Sequence, residues 1–135
     1  MLFENLSEGQ TRKKTFVITP AVYDGFVACF GDRNPLHIDK DYAASKGFAG
    51  KVMHGAIVSG FISTFIGMEF PGAGSLIQSV RVEYKSPSFL NDALSLEAVV
   101  EQKIDAVRTV VLKMTVQNET QKRLSAVARV QVGLP

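Results

Sequence analysis

From about residue 76 to the C-terminus, apolar and polar residues alternate with a period of two. Val80, Val82 and Tyr84 interleave with Arg81, Glu83 and Lys85, and Leu94, Leu96, Ala98 and Val100 with Ser95, Glu97 and Val99. Val110, Leu112, Met114 and Val116 follow the same rule, as do Leu124, Ala126, Ala128 and Val130. Successive side chains of a strand point to opposite faces, so this pattern predicts four strands, each with one buried face. The breaks near Asn91-Asp92, Asp105-Ala106 and Asn118 to Gln121 are short enough for hairpins, which predicts an antiparallel meander.

The first half of the chain follows a different rhythm. Thr11 to Ile18 ends in Phe16-Val17-Ile18 and reads as a first strand, after which Thr19 can cap a helix that Pro20 opens. Three residues after Thr19 stands Val22, where a capping box needs a glutamate or glutamine. Val22, Phe26, Cys29 and Phe30 recur at helical spacing until Gly31, and a loop through Pro35 follows. A short helix is expected over Asp39 to Ala44, with Asp39 as its cap and Tyr42, Ala43 and Ala44 facing inward. Gly47 and Gly50 then mark irregular backbone. His54-Gly55 introduces Ala56 to Met68, where every face is apolar or small, as expected of a helix buried at the centre of a domain. The strands must bury their common face, and that helix is the available filling, so the fold is expected to be α+β, an antiparallel sheet curled round one helix. This is the hotdog arrangement. Its open sheet edge commonly pairs with a twin, and a homodimer is expected.

Composition narrows the field. The 135 residues, 46% hydrophobic and 21% charged, suit one domain over 1–135. A net charge of +2 and a single short basic run, Arg12-Lys13-Lys14, without interleaved aromatics, argue against nucleic acid as a partner. One cysteine, Cys29, allows no internal disulfide framework and agrees with a reducing compartment, so a cytoplasmic protein is expected. No secretory signal is expected at the N-terminus, and the apolar stretch from Gly55 to Met68 is too short to span a bilayer.

The chemistry-bearing residues gather in Gly31-Asp32-Arg33-Asn34-Pro35-Leu36-His37. Asp32 and His37 can hold one water between a carboxylate and an imidazole, the pairing needed to deprotonate water and return a proton to carbon. The other reading of these residues is a turn, with Asp32 and Asn34 bonding their own backbone and His37 structural. The two histidines show no ligand pair at helical spacing, so no metal is expected. Gly55 opens the apolar helix, whose first N–H groups are unpaired and carry the positive end of its dipole, so it is a candidate oxyanion hole. Close packing and a capping His54 explain the same residues equally well. Ser63, two turns on, either supports the site or bonds the preceding turn. Cys29 has no base beside it and is expected to pack. Serine-hydrolase elbows, phosphate loops and dinucleotide fingerprints are absent from the sequence.

Gly31-Asp32-Arg33-Asn34-Pro35-Leu36-His37-Ile38-Asp39, followed by Tyr42-Ala43, Phe48 and Val52-Met53-His54-Gly55, resembles the MaoC-like dehydratases, including the (R)-specific enoyl-CoA hydratases. The resemblance runs from about Leu6 to the last strand. It implies a hotdog homodimer without metal or redox cofactor that adds water to a trans-2-enoyl thioester to give the (R)-3-hydroxyacyl product, and the reverse. Asp32 and His37 would activate the water, the Gly55 N–H would hold the thioester oxygen, and Asn34, Ser63 and His54 would support them. The substrate would be an acyl-CoA or an acyl-carrier-protein thioester, the latter making the chain a 3-hydroxyacyl-carrier dehydratase. A hotdog thioesterase and a non-enzymatic acyl-binding module are the alternatives of other classes. Phe30 departs from the family, which usually has a small residue there, and its ring would narrow the acyl pocket or fill core.

Overall fold

The structure is a computed structural model and describes residues 1–135. Five strands, β1 (Thr11–Val17), β2 (Leu76–Tyr84), β3 (Ala93–Ile104), β4 (Thr109–Asn118) and β5 (Arg123–Gly133), form one sheet in the order β1-β3-β4-β5-β2. Every pairing is antiparallel. The alternation read from the sequence is the alternation of burial in the three central strands. Leu94, Leu96, Ala98, Val100, Val110, Leu112, Met114, Val116, Ala126, Ala128, Val130 and Val132 are all buried. In this register Ala98 lies opposite Met114 and Leu112 opposite Val130, so small and large side chains share one face.

Four helices lie between β1 and β2: α1 (Pro20–Phe30), α2 (Pro35–Ile38), α3 (Lys40–Ser45) and α4 (Gly55–Thr64). The last continues as a wider helical turn over Phe65–Glu69. From α4 and this turn, Ile57, Val58, Phe61, Ile62, Phe65 and Ile66 are buried against the sheet in one hydrophobic cluster. The hotdog α+β fold expected from the pattern is therefore present. Thr19 caps α1 by accepting from the Val22 N–H at 3.2 Å, and Asp39 caps α3 by accepting from the Asp41 and Tyr42 N–H groups at 3.0 Å each.

Four details differ from the sequence reading. The meander covers only β3-β4-β5. The break at Asn91-Asp92 is no hairpin, because β2 lies beside β5 and β3 beside β1. The connection from Tyr84 to Ala93 is long enough for the two strands to choose separate neighbours, and alternation does not encode which ones. In α3 only Ala43 is buried, while Tyr42 and Ala44 face outward, since a helix of six residues offers about one inward position. The apolar helix is not enclosed either: the sheet covers one side of α4, and Ala56, Gly60, Ser63 and Thr64 are exposed. Finally, the apolar stripe of α1 is covered only in part: Val22 and Phe26 are half-buried against the core, while Cys29 is exposed and Phe30 is 74% exposed, so Phe30 fills no core.

Candidate active site

Gly31 ends α1 in the left-handed region, at φ 69°, a conformation glycine adopts without steric cost, and its N–H closes the helix on the Val27 carbonyl. The chain then turns on its own side chains. Asp32 Oδ1 accepts from the Asn34 N–H at 3.2 Å, and Asn34 Oδ1 caps α2 by accepting from the Leu36 N–H at 3.0 Å. Pro35 supplies the first residue of α2 and His37 its third. The turn-residue reading of Asp32 and Asn34 is thus correct as far as it goes, and it leaves the other oxygen of Asp32 free of any hydrogen bond within the chain.

The His37 ring is fixed from behind. Its Nδ1 donates to the Val52 carbonyl at 2.6 Å, which leaves Nε2 as the bare nitrogen, able to accept a proton. The backbone of the same residue is held twice. Tyr23, buried in α1, donates its hydroxyl to the His37 carbonyl at 2.6 Å, and the Val52 N–H donates to the adjacent Leu36 carbonyl at 3.0 Å. His54, buried at the start of α4, donates from Nε2 to the main-chain carbonyl of Asp32 at 2.9 Å. Its ring lies 4.0 Å from the His37 ring, centroid to centroid, inclined by 32°. Its Nδ1 is buried without a hydrogen-bond partner.

One ligating atom each from Asp32, His37 and His54 lies within 4.8 Å of the others. A water making hydrogen bonds of about 2.8 Å to a carboxylate and an imidazole spans such a gap. The same trio is the group best placed to receive a cation, yet the one His54 nitrogen that bonds at all is committed to the Asp32 carbonyl, and Nδ1 is enclosed. The donor set therefore suits a shared water better than a three-ligand metal centre. Sequence separation hid the nearness of the two histidines.

His37, His54 and Gly55 line a cavity of about 400 Å³ together with Tyr84 and Ser88. The Gly55 N–H, first in α4, has no acceptor within the chain, and His54 makes no side-chain cap. Such an N–H at a helix start is a ready donor to a developing negative charge. Lys85 rims the cavity, and its ammonium, with Arg81 adding to it, holds the Glu83 carboxyl below the usual glutamate range. A separate apolar groove of about 520 Å³ runs between α1 and α4, walled by Phe26, Phe30 and Phe61 with Gly60 among its small residues. Ser63 lines neither space. It is exposed, and no hydrogen bond joins it to Asp32 or His37, so the supporting role implied by the resemblance finds no contact in this chain.

Tyr23, the Val52 carbonyl, Ser59 and Tyr84 escaped the sequence reading. Tyr23 and Tyr84 sit within apolar patterns that look like packing, and a main-chain carbonyl leaves no mark in residue type.

The chain matches the model of the MaoC like domain over residues 3–122. It is 27% identical over 113 residues to the (R)-specific enoyl-CoA hydratase of Rhodospirillum rubrum, covering 84% of this chain and 78% of that protein. It is 30% identical over 115 residues to the 3-hydroxybutyryl-CoA dehydratase of Methylorubrum extorquens, covering 85% of this chain and 73% of the other. Among solved structures, the unliganded R-hydratase PhaJ1 from Pseudomonas aeruginosa superposes with a TM-score of 0.90 at 28% identity, over 99% of this chain and 85% of that one.

Proposed function

The chain belongs to the MaoC-like domain family, and from that premise we propose that it is an (R)-specific enoyl-CoA hydratase, which adds water reversibly to a trans-2-enoyl-CoA. The observation that carries the reading is the convergence of Asp32 and His37 beside an unpaired N–H. A carboxylate oxygen of Asp32 and an imidazole nitrogen of His37 lie within 4.8 Å of each other, and the first N–H of α4 is free on the wall of the cavity that His37 lines.

In this mechanism the thioester carbonyl oxygen accepts from the Gly55 N–H, which draws electrons from the C2=C3 bond. A water held between Asp32 and His37 loses a proton to the pair as its oxygen bonds to C3. Charge moves onto the thioester oxygen as an enolate. The pair then returns one proton to C2, so that one water is consumed and no group is left changed. Because a single water site serves both steps, OH and H join the same face of the double bond, and the likeness to the (R)-specific hydratases supports the (R)-3-hydroxyacyl thioester as product. The residues supply acid, base and oxyanion donor without a resident cofactor. His54 acts as a positioning residue: it ties the backbone of Asp32 to the start of α4 and packs against His37.

The reading extends to one domain over 1–135 acting as a cytoplasmic homodimer. The open faces of α1 and α4 and the free edge of β2 support the dimer. No helix is long and apolar enough to cross a membrane.

The test is hydration of trans-2-butenoyl-CoA by the purified chain, with chiral analysis of the product and parallel assay of the matched carrier-protein thioester. Asp32→Asn and His37→Gln are each expected to lower kcat/KM by at least about a hundredfold. Full activity in either variant, correctly folded, rules the pair out. Higher kcat/KM on the carrier-protein thioester would move the assignment to a 3-hydroxyacyl-carrier dehydratase, and thiol release without hydration would make it a thioesterase.

A further inference from the structure

Tyr84 ends β2 at the edge of the sheet and turns its ring onto the first turn of α4. A Cβ built on Gly55 would lie 3.2 Å from both Cε1 and Cζ of this ring, so the ring covers the Cα of the residue whose N–H lacks an acceptor. The Tyr84 hydroxyl is hydrogen-bonded at 2.8 Å to Ser59 Oγ, one turn further along the helix. Tyr84 also lines the cavity that holds His37, His54 and Gly55. It is 52% exposed, and a side chain that open keeps one rotamer when its far end is anchored, which Ser59 does. The mechanism above uses neither residue.

We propose that Tyr84, braced by Ser59, is a positioning residue for the thioester oxygen. The inference rests on the hydratase reading and extends it to two residues outside the acid–base pair. The ring stands against the Cβ side of Gly55 and forms part of the wall of the cavity that Gly55 and His37 also line, so it bounds the space in which a substrate oxygen meets the N–H. A donor held in a fixed position stabilises a developing charge without reorganising at the moment of reaction. The brace ties β2 to α4, so the strand edge and the oxyanion donor are held as one unit.

The experiment is a double-mutant cycle on the full chain with trans-2-butenoyl-CoA, comparing wild type, Tyr84→Phe, Ser59→Ala and the pair, with Tyr84→Leu as the variant lacking the ring. Tyr84→Phe and Ser59→Ala are each expected to lower kcat roughly five- to tenfold with KM within about twofold, short of the ~10²-fold that a 1 Å displacement can cost. The double variant should be no slower than the worse single, because both break the same contact. Tyr84→Leu should fall by about 10²-fold, and the phenylalanine variant should recover much of that loss. Multiplying losses in the double variant, losses confined to KM, or wild-type kcat in Tyr84→Leu would overturn the proposal. Should Tyr84→Leu fail to fold, judged by circular dichroism, the Phe and Ala variants decide alone. If wild type turns over and all variants match it, only this inference fails; a wild type without turnover removes the hydratase reading and this inference together.

Discussion

Gly55 shows how much one absent side chain decides. A methyl group there meets the Tyr84 ring at 3.2 Å, a contact that the ring or the helix start must relieve by moving. Gly55→Ala is therefore expected to lower kcat roughly tenfold through misplacement of the N–H, with the melting temperature nearly unchanged because the tyrosine is half exposed. Steady-state kinetics with a thermal melt separates the two effects, and equal kcat would show that the ring is free to yield. At this scale much of the site was legible. Asp32 and His37 stand out because an acid, an amide and an imidazole crowd one short loop, and Gly55 because a glycine opens an apolar run. The orientation of those groups was not legible. It depends on the Val52 and Asp32 carbonyls, which every residue possesses, and on Tyr23, whose hydroxyl is spent on the His37 carbonyl while its ring reads as core.

The helices between β1 and β2 are secured by caps that the sequence announces, Thr19 for α1 and Asp39 for α3. Asp39 Oδ1 takes two N–H groups at once. Asp39→Ala is expected to cost about 1 kcal/mol, which lowers the melting temperature of a chain this size by about 3–5 °C. Differential scanning calorimetry reads this directly, and an unaltered melt would mean that α3 is held by packing alone. Strand existence was equally plain from alternation, since β3, β4 and β5 bury Leu94 to Val100, Val110 to Val116 and Ala126 to Val132 at every second position. Strand pairing was not. Val80 and Tyr84 of β2 alternate as cleanly as the central strands yet are 47% and 52% exposed, because a residue pattern states which face is apolar and not whether anything covers it.

As a whole, the molecule presents uncovered apolar surface on the side away from the sheet. Phe30 and Met68 are 74% and 75% exposed, and Ala56, Gly60 and Thr64 of α4 lie open beside Phe30. Sedimentation at micromolar concentration is expected to give twice the 14.7 kDa chain mass. Gly60 lies on the open face of α4, where a Cβ meets nothing within the chain. Gly60→Glu should therefore leave each chain folded while shifting the equilibrium toward monomer, since an unpaired charge is costly to bury in an interface. A wild type that sediments as a monomer at every concentration would exclude the dimer. The sheet order β1-β3-β4-β5-β2 carries a consequence in time. The segment bearing Asp32, His37 and Gly55 is strung between the two outermost strands, while the inner three are neighbours in sequence. Contacts close in sequence form early and distant ones late. On dilution from denaturant, the β-sheet signal should therefore return before turnover does, and catalysis should mark the moment when both flanks of the sheet have docked.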